Sequence, residues 1–194
     1  DGVNCVFSSS IPVGSGLSSS AALECGFLFG INELYSLDIK PVDVALMGQS
    51  AEHWVGINCG IMDQFSSVMG LENKVIKIDC RTLEYEYHNA DFNDYSLILF
   101  DSNVKHALMT SAYNERREQC EEGIAILKAN FTQVKSFRDC TEEQVQSVKD
   151  KMSEDIFKRS LFVVKEIKRV IKACHALDNG DIPTLGKLMY ETHE

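Results

Sequence analysis

The segment from Pro12 to Glu24, PVGSGLSSSAALE, constrains the fold of this chain more strongly than any other stretch. Gly14 and Gly16 carry no Cβ atom, so the backbone there can adopt left-handed angles and lie close to a ligand. A loop of this kind that leads into a helix presents the unpaired N–H groups of the first turn at the positive end of the helix dipole. The segment therefore predicts an anion-binding loop, and a polyphosphate is the ligand that it favours.

Other interpretations of this loop are less complete. Ser18 to Ser20 could act only as helix caps, although one serine is sufficient for that role. A GxxxxGK[ST] P-loop requires a lysine after its last glycine, and this loop contains none. GSGLSS also resembles a shortened dinucleotide-binding GxGxxG motif, with Asp38 where a ribose-binding acid is expected, but no second strand ends at Asp38. The phosphate loop is the main hypothesis, and the helix cap is its alternative.

Charge and cysteine content limit the class of protein. The 19 Lys and Arg residues against 29 Asp and Glu residues give a net charge of −10, which disfavours a broad nucleic-acid or anionic-membrane surface. The seven cysteines form no CxxC pair and no His/Cys metal spacing, a pattern typical of reduced thiols in a cytoplasmic protein. The five histidines form no ligand cluster, and no apolar run approaches a membrane-spanning length.

Patterns typical of β-strands occur only in the first half of the chain. Two of them flank the tripeptide RTL and predict a hairpin. The predicted β-segments are residues 3–8, 74–80, 83–88 and 95–101.

Helical spacing of apolar residues accounts for most of the remainder. On the first helix, which begins near Ser18, the predicted apolar face consists of Ala22, Leu23, Phe27, Ile31 and Leu34. Pro41 opens the second helix, whose predicted face consists of Val44, Met47, Ala51, Trp54 and Val55. A short helical run follows Gly60 and ends near Gly70. Further helices are predicted at residues 107–129, 141–152, 154–178 and 181–192, with DNGD as a stop signal. Strands early and helices late predict an α+β fold.

Two carboxylates flank a glycine-containing turn in the stretch AEHWVGINCGIMDQF, residues 51–65. Glu52 and Asp63 lie among apolar residues, where a carboxylate is costly unless it is paired, metal-bound or protonated. Asp63 alone could be a helix cap. Together with the loop, these residues supply the parts of phosphoryl transfer: a phosphate cradle, a serine hydroxyl, a carboxylate for Mg²⁺ and an acid that accepts a proton from a substrate hydroxyl.

A third polar stretch, residues 102–122, joins the last β-segment to a long helix. Tyr113 could hydrogen-bond a sugar, and a tyrosine packed on a helix is an equal alternative. Arg116 and Arg117 are predicted on a solvated face, with Glu121 four residues after Arg117.

These motifs resemble those of a known enzyme family. PVGSGLSSSAALE resembles the central phosphate-binding motif of the GHMP small-molecule kinases, and CGIMDQF followed by DSNVKHAL and SAYNERREQCEE is similar to the galactokinases among them. The resemblance covers most of residues 1–130. It implies a two-domain GHMP-kinase-like fold, present here in part, with residues 1–101 in the N-terminal domain and residues 102–194 beginning the C-terminal domain. It also implies a cytoplasmic enzyme that transfers the γ-phosphoryl group of ATP to the anomeric hydroxyl of galactose.

The resemblance implies a role for each matching residue. Asp63 faces the sugar hydroxyl, and Gly60 and Tyr113 line the sugar. Ser20 and Glu52 hold Mg²⁺, with Ser19 as the alternative to Ser20. The Glu52–Asp63 interval is one residue shorter than the family pattern, a change that rotates a helical side chain by roughly 100°. The residues that match the ATP phosphate loop are Gly14, Ser15, Gly16, Leu17, Ser18, Ser19 and Ser20.

The chain also departs from the family pattern. It lacks an arginine followed by a Gly-Glu-His-x-Asp-Tyr run, and it lacks the glycine-rich motif of the C-terminal domain. We therefore expect a central fragment that is inactive alone and that self-associates through incomplete sheet edges. Two alternatives share the motifs: an N-acetylgalactosamine kinase and a non-catalytic sensor of galactose and ATP. Because that sensor lacks a Ser-Ala pair in the loop and SSSAA is intact here, the enzyme is favoured.

Overall fold

The computed structural model describes residues 2–92, 94–100 and 106–193. It divides into two compact units: the first contains Asp1–Tyr87 and Leu97–Thr110, and the second contains His88–Ser96 and Ser111–Glu194. The predicted domain boundary between residues 101 and 102 lies outside the described residues.

The first unit begins with three helices and continues into a hairpin. The helices are α1 (Ser19–Tyr35), α2 (Pro41–Trp54) and α3 (Met62–Met69), and the hairpin strands are β1 (Lys74–Ile78) and β2 (Tyr85–Asn89). Pro41 occupies the first turn of α2, as predicted. The hairpin is also confirmed, and its turn is closed by Asp79, whose Oδ1 accepts the N–H groups of Arg81 at 2.8 Å and Thr82 at 3.2 Å.

The predicted helices are confirmed, but apart from Val44 the buried residues of α1 and α2 are not those that hydrophobic spacing indicated. In α1 the buried residues are Ala21 and Cys25, whereas Leu23 is 51% exposed. The physical reason is a close approach at Gly48 of α2. A Cβ atom there would lie 3.0 Å from the Cys25 sulfur and 3.1 Å from Cγ of Gln64. Small side chains therefore decide which face is interior. The buried residues of α2 are Val44, Ala45, Gly48 and Glu52, while Met47, Ala51, Trp54 and Val55 are exposed.

The strands predicted at residues 3–8 and 95–101 do not form among the described residues, where the sheet contains only β1 and β2. A strand is defined by hydrogen bonds to a neighbouring strand, and an apolar pattern does not supply that neighbour. Residues 3–13 instead lie along α1 and enclose with it a cavity of about 910 Å³. The predicted apolar residues of α1 line this cavity: Ala22, Leu23, Phe27, Ile31 and Leu34.

The second unit is helical. Its helices are α4 (His106–Asn130, from Ser111 onward), α5 (Glu142–Ser147), α6 (Glu154–Asp178) and α7 (Ile182–His193), with 3₁₀ helices at Phe137–Asp139 and Lys149–Lys151. These bounds confirm the predicted helical second half, including the stop at Gly180, which adopts φ +66°. The core of this unit consists of Leu127, Val134, Cys140, Val145, Val148 and Val164. No helix among the described residues is both long enough and apolar enough to span a membrane.

Candidate active site

The predicted phosphate loop uses left-handed backbone at alternate positions. Gly14 has φ +77°, Gly16 has φ +76° and Ser18 has φ +58°. A Cβ atom on either glycine would meet nothing within 4 Å, so glycine is required here by conformation and not by lack of space. Ser15 fixes the loop internally, since its hydroxyl donates to the carbonyl of Pro12 at 2.8 Å. Each left-handed residue changes the direction of the backbone N–H groups in this loop.

The first turn of α1 lacks the side-chain cap that the alternative interpretation required. Ser18 occupies the N-cap position, yet its hydroxyl makes no capping hydrogen bond to the helix. The first turn also contains no acidic residue. The positive end of the dipole is therefore neither capped nor neutralised by its own side chains, a state that suits an anionic ligand.

One turn beyond Ser20 on α1, the carboxylate of Glu24 lies close to that of Glu52 on α2. Glu24 follows Ser20 by four residues on α1, so both side chains lie on one side of that helix. Burial, and then the charge of Glu52, raise the pKa of Glu24 from 4.5 to about 7. Glu52 is itself only 5% exposed. The structure thus brings Glu52 next to the helix that carries Ser20, on the buried face of α2 despite the shortened Glu52–Asp63 interval.

Asp63 lies in the first turn of α3, where the helix dipole favours a negative charge. The N-cap position is occupied by Ile61, so Asp63 is not the cap of this helix. Burial raises the pKa of the Cys59 thiol, and the carboxylates of Glu52 and Asp63 raise it further. Both acids therefore lie within electrostatic range of the same sulfur in the first unit.

The turn before Asp63 is held by side chains of α2. Nε2 of His53 lies 3.0 Å from the carbonyl oxygen of Cys59, and Nε2 of Gln49 donates to the same oxygen at 3.3 Å. The amide of Gln64, which follows Asp63, lies 3.9 Å from the Cys59 sulfur. Gln64 is 1% exposed. These contacts fix Gly60, the predicted sugar-lining residue, between two restrained neighbours.

Tyr113 belongs to the second unit, on α4, and is 38% exposed. Arg117 pairs with Glu121 at 2.6 Å, which confirms the predicted i,i+4 spacing. Groups of three or more His, Cys, Asp or Glu side chains able to hold a metal do not occur within the described residues. The loop, Glu52, Gly60 and Asp63 all lie in the first unit.

Four contributors to this site were not predicted from the sequence: Glu24, Gln49, His53 and Gln64. The i,i+4 spacing of Gln49 and His53 was visible, but many surface pairs share it. Their common acceptor, a backbone carbonyl, has no sequence signature at all.

Part of the chain matches a known protein family. Residues 1–71 match the family described as GHMP kinases N terminal domain. The N-terminal part of the chain is therefore similar to the N-terminal domain of the GHMP kinases.

The chain as a whole is similar to galactokinases. The galactokinase of Thermotoga maritima is 42% identical over 188 residues, which cover 96% of this chain and 51% of that relative. The galactokinase of Haemophilus influenzae is 44% identical over 197 residues, covering 100% of the chain and 50% of the relative. The crystal structure of Lactococcus lactis galactokinase complexed with galactose matches with a TM-score of 0.87 and 30% identity, over 94% of this chain and 47% of that one. The chain spans about half the length of the curated relatives it matches.

Proposed function

We propose that the protein containing this chain is a galactokinase, which uses ATP to phosphorylate the anomeric hydroxyl of galactose. The observation that carries the proposal is the uncapped first turn of α1 behind a left-handed loop, with two acids nearby in the same unit. The similarity to galactokinases over the whole chain supports the same reaction and the same sugar. The substrate assignment is also supported by the Lactococcus lactis galactokinase, whose crystal structure is a complex with galactose.

The phosphates of ATP are proposed to bind at the N-terminus of α1. The N–H groups of Ser18, Ser19 and Ser20 lie where the dipole is positive, and Gly14 and Gly16 allow the backbone to approach. Ser15 and Leu17 complete the loop between the glycines. These donors are fixed before the ligand arrives, so little reorganisation is required when charge develops on the transferring group.

Mg²⁺ is proposed to bind between Ser20 and Glu52, with Ser19 as the alternative hydroxyl. Glu52 is buried and close enough to Glu24 to raise its pKa, so a cation here would relieve repulsion between two carboxylates. Mg²⁺ commonly takes one or two carboxylates and completes its shell with phosphate and water, so a single acid and a hydroxyl are sufficient. When bound, the ion would neutralise charge on the phosphate oxygens.

Asp63 is proposed to orient the anomeric hydroxyl of galactose and to accept its proton. The sugar oxygen forms a bond to the γ-phosphorus, the bond from that phosphorus to the β-γ bridging oxygen breaks, and ADP leaves. Gly60, with no side chain beside Asp63, leaves room for a sugar ring. Tyr113 is proposed to hydrogen-bond the sugar. Seven free cysteines support a reducing compartment, which we propose to be the cytoplasm.

Sugar-dependent ADP release tests the proposal. The full-length product of the gene that encodes this chain would be mixed with Mg-ATP and either galactose or N-acetylgalactosamine. We expect ADP release with galactose. Preference for the acetylated sugar would change the substrate and leave the mechanism intact. Binding of galactose and ATP without ADP release would contradict the enzyme and favour a non-catalytic sensor.

Self-association of this chain with a second copy is also proposed. Val6 is 96% exposed and Phe7 is 58% exposed, in a segment that joins no sheet among the described residues. Unpaired extended backbone with apolar side chains favours edge-to-edge pairing. Sedimentation velocity at two concentrations should show a dimer or larger species for the chain alone. Val6→Lys should reduce it, whereas Leu71→Lys, at a different exposed apolar position, should not. A monomer at both concentrations contradicts the proposal.

A further inference from the structure

Two side chains of α2 contact one backbone oxygen in the turn between α2 and α3. The carbonyl oxygen of Cys59 lies 3.0 Å from Nε2 of His53 and 3.3 Å from Nε2 of Gln49. A carbonyl oxygen has two lone pairs, so it can accept from both side chains at once. Both lone pairs of this oxygen are then occupied by donors from a single helix.

The contact with the Cys59 oxygen requires a hydrogen on one nitrogen of the His53 imidazole. Because a carbonyl only accepts, the imidazole must carry a hydrogen on Nε2, which is true of the Nε2–H tautomer and of the imidazolium ion. Gln49 and His53 are separated by four residues on α2, so their side chains lie one above the other on that helix. Glu52, the proposed Mg²⁺ ligand, precedes His53 on the same helix.

The fastened turn leads directly to the proposed catalytic acid. Asp63 follows Cys59 by four residues, and the chain between them enters α3 through the hydrogen bond from the N–H of Phe65 to the carbonyl of Ile61 at 2.9 Å. The rest of the turn is similarly tied back, with the N–H of Ile57 donating to the carbonyl of Glu52 at 3.0 Å. The position of Asp63 relative to α2 therefore depends on the hydrogen bonds at the Cys59 carbonyl together with the packing of Ile61 and Phe65 against Ala45 of α2.

We propose that His53 and Gln49 are positioning residues for phosphoryl transfer, which hold Asp63 at a fixed distance from the helix that carries Glu52. This inference rests on the proposed function, because Asp63 must face a sugar hydroxyl for its placement to matter. Reaction rates fall steeply when a reacting group is displaced, by up to about a hundredfold for a displacement of about 1 Å. His53 is exposed, so water can replace its hydrogen bond at little cost in stability, but water cannot fix the turn.

The kinetic test uses His53→Ala in the full-length protein. We expect kcat to fall about tenfold, an intermediate effect because Gln49 still holds the oxygen. The KM for ATP should stay within about twofold, since the phosphate loop is on another helix and its contacts are unchanged. His53→Gln should restore most of kcat, because Gln49 shows that a glutamine amide on α2 can reach this oxygen. Ser50→Ala is the control: its hydroxyl donates to Leu46 of its own helix at 2.9 Å.

A second measurement is independent of activity. Amide hydrogen exchange of this chain should show faster exchange at residues 59–65 in a Gln49→Ala, His53→Ala double variant, with α1 and the second unit unchanged. If the wild-type protein releases no ADP with sugar, the proposed function fails. Unchanged hydrogen exchange in the double variant would separately overturn the positioning role of His53 and Gln49.

Two kinetic outcomes overturn the inference while the galactokinase assignment stands. One is a His53→Ala enzyme with wild-type kcat. The other is a loss in kcat accompanied by an equal rise in the KM for ATP and no rescue by His53→Gln, which would indicate general damage to the fold. Rescue by glutamine with an unchanged KM for ATP supports the positioning role.

Discussion

The helices of the first unit begin differently from those of the second. In the first unit α1, α2 and α3 all begin without a side-chain capping hydrogen bond. In the second unit Thr141 and Gln144 form a capping box at α5, and Ser153 accepts the N–H of Ile156 at α6. Asp181 accepts the N–H of Thr184 at 3.1 Å ahead of α7.

The N-terminus of a helix can therefore either add to stability when it is capped or bind a ligand when it is not. A capped N-terminus has donated its N–H groups to the protein and gains roughly 1 kcal/mol of stability. An uncapped one keeps those groups available for a ligand and forgoes that stability. Ser18 and Ser153 both occupy the N-cap position of a helix, but only Ser153 makes a capping hydrogen bond. Substitutions at matched residues of the two units should therefore have opposite effects on activity and stability.

The largest effect is expected from two aspartates near helix N-termini. Asp63→Asn should lower kcat by about 10²–10⁴-fold, since the amide cannot accept the sugar proton. Its stability should be close to that of the wild type, because Ile61 and not Asp63 is the cap of α3. Asp181→Ala should do the reverse, losing roughly 1 kcal/mol with kcat unchanged. Steady-state kinetics and urea unfolding of the full-length variants measure both; a wild-type kcat in Asp63→Asn would remove that residue from the mechanism.

The second pair of variants compares two left-handed glycines. Gly16 has φ +76° and Gly180 has φ +66°, and neither Cβ position is obstructed. Alanine should cost about 1–2 kcal/mol in either place. In Gly16→Ala we expect the loop to relax and the KM for ATP to rise about tenfold. In Gly180→Ala the strain should appear as lost stability with an unchanged KM for ATP. Equal changes in KM in both variants would contradict a special role for the loop.

Most of the helix boundaries could be predicted from the sequence because their signals are local. Pro41 and the stop at Gly180 each act within one turn of the residue concerned. The hairpin could also be predicted from local signals, because Asp79 closes its turn by accepting the N–H groups of Arg81 and Thr82. The prediction of a strand at residues 3–8 was wrong, because a strand must pair with a neighbouring strand and the local sequence does not specify that neighbour.

Helix faces and site geometry depend on contacts that sequence spacing does not contain. The interior side of α2 is chosen by Gly48, where the Cys25 sulfur and Gln64 approach to about 3 Å. Hydrophobicity instead favoured Trp54, which is 94% exposed. Asp63 and Glu52 could be proposed from their distinctive motifs, whereas Glu24 could not, because its raised pKa comes from burial and from the charge of Glu52 on another helix.

The third comparison concerns the serines at the two helix N-termini. Ser153→Ala should destabilise the chain by about 1 kcal/mol, because the N–H of Ile156 loses its partner at 3.4 Å. Ser18→Ala should change stability by less than about 0.5 kcal/mol, since no capping bond is lost. Urea unfolding of the two variants beside the wild type measures the difference. Equal destabilisation would mean that Ser18 is a structural cap after all.

The smallest effect is expected from the pH dependence of stability. The pKa of Glu24 is raised from 4.5 to about 7 in the folded chain, by burial and by Glu52. Between these two values the folded state keeps a proton that the unfolded state has lost, so stability should fall as the pH rises from about 4.5 to about 7. Glu24 stays partly exposed, so solvent screening should keep the effect small.

Glu24→Gln should remove this contribution, and its urea midpoint should therefore decline less than that of the wild type between pH 5 and pH 8. Glu33→Gln is the matched control, because Glu33 is exposed on the same helix. If the two variants follow the same pH profile, the pKa of Glu24 is not raised by burial and by Glu52 in solution. Mg²⁺ sharpens the test: with Mg-ATP added to the full-length protein, the pH dependence that Glu24 contributes should weaken, because a cation held by Glu52 would offset the charge that helps to raise the Glu24 pKa. The stability of the first unit would then respond to Mg-ATP through Glu24, whereas the capped helices of the second unit should show no dependence on Mg-ATP.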